Sequence, residues 1–147
     1  MTDEKSQFVY VAYIRTTADE LWSALTTPEI TKKFWLGATF ATDWKQGSAW
    51  TLHLDDGRLA DIGEVLEIDP PKRLVLKWQH QFMPELKMEG DATCEIALEP
   101  AGNAVKLTII HSIARADSKL IKAVSGGWPK IVSNLKSLLE TGLIAVD

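Results

Sequence analysis

The sequence predicts an α+β fold: a curved antiparallel sheet of six to seven strands, two short helices after the first strand, and a long C-terminal helix packed across the sheet. From Ala38 to Ile113, apolar and polar residues alternate with a period of two, as in strands with one buried face. From Ile121 to Leu138, apolar residues recur at steps of three and four, which places them on one face of a helix. Residues 1–147 are expected to fold as a single domain.

The chain should begin with a strand over residues 8–15, because this run is β-branched and aromatic. Two short helices should follow. The hydroxyl of Thr17 can cap the first helix while the Glu20 side chain reaches back to the cap amide. In the second helix Thr27 is the expected N-cap, and Pro28 takes the first helical position, where its missing N–H is not needed.

Six further strands follow from the alternation. They are predicted at residues 38–44, 49–54, 59–68, 74–80, 92–99 and 105–113. Their connections are short and turn-rich, and Asp55-Asp56-Gly57 is interpreted as a hairpin turn rather than a cation site. Short connections join antiparallel neighbours, so the strands should form a meander.

The long helix should begin at Asp117 or Ser118. Gly142 is placed to end it in a left-handed conformation, with Leu143 folding back on Leu138 as in a Schellman motif.

Pro129 lies inside this helix and displaces the backbone bond to Ser125. We therefore expect a kink at Pro129, or a restart of the helix after Gly127. The polar side of the helix is expected to face solvent, and it includes Lys130, Asn134 and Lys136.

Composition excludes several classes of function. The net charge is -4, with Lys and Arg scattered along the chain, which argues against a nucleic-acid partner. No apolar run approaches the roughly 20 residues that a membrane-spanning helix needs, so no membrane insertion is expected. The polar, acidic start does not resemble a secretory signal. The single Cys94 cannot form an internal disulfide, which favours the cytoplasm.

Strand parity sorts side chains between the two faces of the sheet. The predicted inward rows are Trp50, Leu52 and Leu54; Leu74, Leu76, Trp78 and His80; Ala92, Cys94, Ile96 and Leu98; and Val105, Leu107, Ile109 and His111. Toward one end, these rows change from aliphatic to aromatic and imidazole side chains. Such a cluster is typical of a pocket mouth, and equally of the rim of an ordinary core.

Several strings, in this order, resemble the Hsp90-ATPase-activator-homologue-like family of the START/Bet v 1-like (SRPBCC) helix-grip superfamily. They are the runs 18–29, 34–35, 63–75, 77–78, 127–129 and 134–140, which include Phe34-Trp35, Asp69-Pro70-Pro71 and Gly127-Trp128-Pro129. The resemblance covers nearly the whole chain and implies the helix-grip fold.

The resemblance implies that a small hydrophobic, aromatic or lipid-like molecule binds in a cavity between the sheet and the C-terminal helix. Such a cavity is expected to measure about 300–1,000 Å³, and no cofactor is implied. Two alternatives remain open. One is a protein-interaction module related to Hsp90 co-chaperone activators, with a chaperone or a second copy of the chain as partner. The other is a cofactor-free cyclase- or hydrolase-like enzyme using the same cavity.

The candidate ligand-binding residues are Trp35, Trp50, Trp78, His80, Phe82, His111, Val124 and Trp128. Ligand pockets are mostly apolar and aromatic, but the same indoles could simply fill the core, as is expected of Trp22. His80 or His111 would orient a polar end of the ligand or serve as a general base. We find no catalytic constellation.

A metal site is not expected, because parity places His53 on the face opposite His80 and His111, and a catalytic zinc site needs three protein ligands. Asp61 and Glu64 have opposite parities, so only one can face the interior, and the sequence does not say which.

Cys94 is interpreted as a small core residue, unless a base such as His111 lies beside it. The connection containing Glu85, Lys87 and Glu89 is expected to be solvated.

Overall fold

A computed structural model describes residues 4–146. It contains seven strands and four helices over these residues. The elements are β1 (Ser6–Ile14), α1 (Ala18–Thr26), α2 (Pro28–Phe34), β2 (Thr39–Ala41), β3 (Ala49–His53), β4 (Leu59–Asp69), β5 (Arg73–His80), α3 (Pro84–Lys87), β6 (Ala92–Ala101), β7 (Ala104–Ile113) and α4 (Lys119–Thr141). The sheet is antiparallel with the order β1-β7-β6-β5-β4-β3-β2. The predicted fold class is confirmed.

The meander runs from β2 to β7, and β1 joins the far side of β7, so β1 and β2 form the two edges of the sheet. The inward rows predicted on β5, β6 and β7 are buried, apart from His80 at the end of β5, which keeps partial exposure. β-bulges at Leu52/His53 and at Val65/Glu67 interrupt the register of β3 and β4. Bulges bend strands, which lets one side of a sheet close around a helix.

β2 is shorter than the predicted strand over residues 38–44. It ends at Ala41, because Trp44 has a positive φ of 54° that an extended strand cannot accommodate. The Trp44 indole N–H instead donates to the carbonyl of Thr26 at 3.1 Å, which ties this turn to the end of α1.

The two caps predicted near the N-terminus form only in part. The amide of Glu20 donates to the Thr17 hydroxyl at 3.2 Å, as predicted. The Glu20 carboxylate does not return to the cap amide, because it accepts the hydroxyl of Thr16 at 3.0 Å. Thr27 is the N-cap of α2 and Pro28 opens the helix, as predicted, although the Thr27 side chain makes no capping bond.

α4 begins after Ser118, whose hydroxyl caps the helix, and Gly142 ends it with a φ of 85° and a bond from its amide to Leu138. The prediction that Leu143 folds back on Leu138 in a Schellman motif is wrong. The Leu143 amide bonds to the hydroxyl of Thr141, and its side chain is 71% exposed. The helix is also continuous through Pro129, so it does not restart after the glycines.

Asn134 was expected on the solvent face of α4, but its side chain is completely buried. Its Oδ1 accepts the amides of Ala145 and Val146 at 2.9 and 2.6 Å, and its Nδ2 donates to the carbonyl of Val146 at 2.8 Å. The three bonds hold the chain after α4 against the helix.

Candidate ligand-binding cavity

A cavity of about 220 Å³ lies between the sheet and α4. Its lining residues are Trp35, Leu52, Asp61, Trp78, His80, Met83, Leu86, Leu120, Ala123, Val124, Gly127, Trp128 and Ile131. The volume falls below the predicted range. It still exceeds the ~150 Å³ of an engineered apolar cavity that is large enough for benzene.

Three indoles from separate elements converge on this cavity. Trp35 follows α2, Trp78 lies on β5 and Trp128 lies on α4. The ring centroids are 5.1 Å apart for Trp35 and Trp128, and 6.3 Å apart for Trp35 and Trp78. The Trp78 and Trp128 centroids are 6.2 Å apart. These contacts fix one wall of the cavity, because each large aromatic ring is held by the other two.

The polar part of the lining is formed by Asp61 and His80, which are directly opposite in the register of β4 and β5. One carboxylate oxygen, Oδ1 of Asp61, lies 2.9 Å from the indole nitrogen of Trp78 and 2.9 Å from His80 Nδ1. The sequence did not say whether Asp61 or Glu64 faces the interior. Asp61 is only 7% exposed, so it is the interior acid. Glu64 has the opposite parity and is partly exposed.

The bonds to Asp61 indicate which imidazole nitrogen of His80 carries a proton. An indole N–H can only donate, so Oδ1 acts as an acceptor, and Nδ1 of His80 carries a proton toward it. His80 Nε2 is buried and has no partner among the described residues. The second carboxylate oxygen, Oδ2, also makes no hydrogen bond but is not closed off by protein. A carboxylate and an imidazole in this arrangement can orient a polar ligand group or move a proton.

Trp50 does not line the cavity, although it was a candidate. It lies behind Trp78, with ring centroids 4.7 Å apart, and donates its indole N–H to the carbonyl of Lys77 at 3.0 Å. Gly63 makes this arrangement feasible, because a Cβ there would lie 1.7 Å from that carbonyl oxygen and 2.6 Å from the Trp50 nitrogen. Trp50 therefore supports the cavity wall indirectly, by packing behind Trp78.

His111 also lies outside the cavity. It is completely buried, and its Nδ1 accepts the indole N–H of Trp128 at 3.1 Å. Burial lowers its pKa from 6.5 to about 4, so the ring is neutral near neutral pH. Its contribution is to hold Trp128, and through it α4, against the sheet.

Phe82 is the third candidate outside the lining, and its ring centroid lies 5.1 Å from that of His80, which does line the cavity. The Phe82 side chain is 45% exposed, and the guanidinium of Arg58 lies 5.4 Å from its ring centroid. The other candidates, Trp35, Trp78, His80, Val124 and Trp128, do lie in the lining. Their contact with a ligand remains a prediction.

Cys94 lies directly opposite His111 in the pairing of β6 and β7, a neighbour that the sequence could not specify. The thiol is completely buried, and burial raises its pKa far above the ordinary value. Cys94 is therefore a core residue and not a reactive thiolate.

Glu89 is not the solvated side chain that the sequence predicted. It accepts the Ser118 hydroxyl at 2.5 Å and the amides of Lys119 and Leu120 at 2.8 and 3.2 Å. Burial opposes ionisation of Glu89, but these three bonds outweigh it and lower its pKa. Glu89 thus caps α4 from another part of the chain, next to α3 and its cavity-lining Leu86.

Within residues 4–146, no group of three or more His, Cys, Asp or Glu side chains is arranged to hold a metal ion. His53 lies on the face of β3 opposite to Trp50 and Leu52, near the Thr51 hydroxyl. In the same part of the chain, no helix combines the length and the apolar character that crossing a bilayer requires.

The sequence model of the Activator of Hsp90 ATPase homolog 1-like protein family matches residues 15–140. No curated protein matches the chain.

Several solved structures share the fold. Protein MLL2253 from Mesorhizobium loti has a TM-score of 0.78 at 24% identity, over 92% of this chain and 97% of that one. The Aha1 dimer from Colwellia psychrerythraea has a TM-score of 0.76 at 18% identity, over 93% and 98%. PFC0360w, an HSP90 activator from Plasmodium falciparum, has a TM-score of 0.73 at 19% identity, over 91% and 96%.

Proposed function

We propose that this chain, which belongs to the Activator of Hsp90 ATPase homolog 1-like family, binds a small hydrophobic or aromatic molecule between its sheet and α4. The observation that carries the proposal is the cavity itself, which is walled by three indoles and contains few polar groups. Pockets of this composition are typical of small-molecule sites. The single buried Cys94 supports a cytoplasmic location, where thiols stay reduced.

The volume limits the size of the ligand. At about 220 Å³, the cavity accommodates one aromatic ring with a short substituent, or two fused rings. A long acyl chain would have to extend past the rim, where Met83 and Ala123 are exposed. Burial of apolar surface against the indoles would drive binding, at roughly 25 cal/mol per Å² removed from water.

Native mass spectrometry of the protein purified from its own host tests this proposal. The expected result is a retained molecule of about 8–14 heavy atoms, the size range that the cavity allows. Denatured protein from the same preparation is the control, because it should lose that mass. An unliganded native mass, together with no response in a tryptophan-fluorescence screen of small aromatics, would argue for the next candidate.

A second candidate is an interaction module for a chaperone of the Hsp90 class. The neighbour PFC0360w is described as an HSP90 activator. The favouring observation in this chain is an apolar stripe on the outer face of the edge strand β1. Val9 is 49% exposed, Val11 44% and Tyr13 54%. Exposed apolar patches of this kind often mark protein contacts.

Val11→Lys tests that candidate, with Thr93→Lys on the outer face of β6 as the matched control. If the stripe binds the chaperone, affinity for Hsp90 of the same host should fall only in Val11→Lys. Sedimentation of the two variants separates this reading from self-association, since the neighbour from Colwellia is described as a dimer. Equal affinity of both variants and wild type would exclude the stripe as a chaperone site.

A third candidate, a cofactor-free enzyme using the same cavity, is favoured by the 2.9 Å contact between Asp61 and His80. Such a pair can supply general acid–base catalysis, which typically contributes about 10²–10⁴-fold to a rate. Once native mass spectrometry identifies a ligand, His80→Gln should abolish its conversion but retain binding if the protein is an enzyme. Unchanged ligand after long incubation with wild type would exclude catalysis on that compound.

A further inference from the structure

The polar part of the cavity contains the carboxylate of Asp61, with no Lys or Arg beside it among the described residues. Asp61 lines the cavity together with His80, and none of the described lining residues is Lys or Arg. Asp61 Oδ1 is occupied by Trp78 and His80, whereas Oδ2 bonds to no described residue and remains accessible. The cavity lining therefore includes a carboxylate with one oxygen that makes no hydrogen bond to the described residues, beside three indole rings.

The imidazole adds to this polarity. With Nδ1 directing its proton to Asp61, Nε2 of a neutral His80 ring is a second acceptor, and this atom has no partner among the described residues. A buried acceptor without a partner is destabilising, and a ligand donor would satisfy it. Nε2 is covered by protein in this structure, so a ligand reaches it only after the neighbouring rim shifts. Oδ2 needs no such movement.

We infer that the cavity selects ligands whose polar end is a hydrogen-bond donor, namely a hydroxyl or an ammonium group on a one- or two-ring apolar body, and that it excludes carboxylates such as fatty acids. This inference rests on the proposed binding function. A donor bonds to Asp61 Oδ2, and an ammonium group is further attracted to the faces of the indoles. A carboxylate would face Asp61 at close range in a poorly hydrated site, without a partner.

Four probes with one benzene ring test the inference: ethylbenzene, phenethyl alcohol, phenethylamine and phenylacetate. They differ mainly in the polar end, and each fits the volume. In tryptophan-fluorescence titrations of wild type, phenethyl alcohol and phenethylamine should bind more tightly than ethylbenzene. Phenylacetate should bind at least roughly tenfold more weakly than phenethylamine, because repulsion from Asp61 replaces attraction.

Asp61→Asn removes the charge but keeps an acceptor for the indole of Trp78. In this variant the preference for phenethylamine over phenylacetate should shrink roughly tenfold or more, because the amide can donate to a carboxylate. Should the variant be unstable, the wild-type ranking alone decides, supported by a shift of the Trp78 indole N–H resonance on adding phenethylamine.

The failure of this inference can be told apart from failure of the binding function. If ethylbenzene binds wild type and phenylacetate binds as tightly as phenethylamine, the donor requirement is wrong and the cavity still binds ligands. If none of the four probes binds, the binding function and the inference are both overturned.

Discussion

Trp128 donates its indole N–H to His111 Nδ1 at 3.1 Å, and this bond joins α4 to β7 inside the core. His111 can accept this hydrogen bond only when the ring is neutral and its proton is on Nε2. Protonation at Nδ1 would turn the acceptor into a donor and break the bond. The position of the helix over the cavity is therefore coupled to one buried histidine.

The pH dependence of stability should report on this histidine. Burial lowers the pKa of folded His111 to about 4, against 6.5 when unfolded. Between these values the unfolded chain binds a proton that the folded chain does not, so stability falls as pH falls from 6.5 toward 4. The loss should be on the order of 3 kcal/mol, at about 1.36 kcal/mol per pKa unit.

Urea unfolding at a series of pH values measures this loss. His111→Gln is the comparison, because it removes the titrating group and keeps an acceptor for Trp128. The variant should be less stable at pH 7 but should lose much less stability than wild type between pH 6.5 and 4. Parallel pH profiles for the two proteins would show that His111 is not the group responsible.

Gly63→Ala should destabilise the fold by several kcal/mol. The added Cβ would meet the carbonyl oxygen of Lys77 at 1.7 Å, and backbone there cannot move away without disrupting β4 and β5. Gly126→Ala is the matched control, because its Cβ would meet nothing within 4 Å. In thermal unfolding, Gly63→Ala should be much less stable than wild type. Gly126→Ala should be as stable as wild type or more stable by up to ~1 kcal/mol. Equal Tm values would contradict the packing described around Trp50.

Glu89→Gln should destabilise the protein by about 1–2 kcal/mol, since it removes a charged cap from the N-terminus of α4. Glu85→Gln, at a neighbouring exposed acid, should change stability by less than about 0.5 kcal/mol. The pKa of Glu89 is lowered in the folded state, so its contribution is present above pH 4.5 and is lost as the pH falls further. Denaturant unfolding at pH 7 and at low pH checks both statements.

Asn134→Ala should free the segment after α4. Its side chain makes three bonds to Ala145 and Val146, so hydrogen exchange at these two amides should become at least roughly tenfold faster. Ser133→Ala, one position earlier on the exposed side of the helix, is the control and should leave their exchange unchanged. Equal exchange in wild type and Asn134→Ala would mean that the three bonds do not restrain the segment.

Most of the strand pattern could be predicted, because each strand of the meander repeats one short-range rule. β6 and β7 alternate cleanly, whereas in β5 Val75 is buried although it has the parity opposite to the inward row. The ends of all three strands lie within two residues of the prediction. β4 was harder. Ile62 and Ile68 suggest one inward parity and Val65 the other, and the bulge between Val65 and Glu67 changes the parity midway. Asp61 lies on the same side of that bulge as Val65 and shares its inward parity, and the sequence does not mark where the bulge falls.

The contacts that define the site join residues far apart in sequence, and this is why they were missed. Asp61 meets His80 only through the register of β4 and β5, and Glu89 reaches Ser118 only after α4 has docked. Neither contact leaves a periodic signal in the chain. The indoles at Trp35, Trp78 and Trp128 were identifiable as candidates because ligand pockets are mostly apolar and aromatic, although the sequence alone does not separate a pocket wall from a filled core.

Filling the cavity from α4 tests the central claim most directly. Gly127 lines the cavity, and a Cβ there meets nothing within 4 Å, as at Gly126 on the exposed side of the same helix. Both Gly127→Leu and Gly126→Leu should fold, since leucine favours helix over glycine. Titration with phenethyl alcohol, followed by tryptophan fluorescence, should show at least roughly tenfold weaker binding in Gly127→Leu and wild-type binding in Gly126→Leu. Undiminished binding in Gly127→Leu would contradict a ligand site between the sheet and α4.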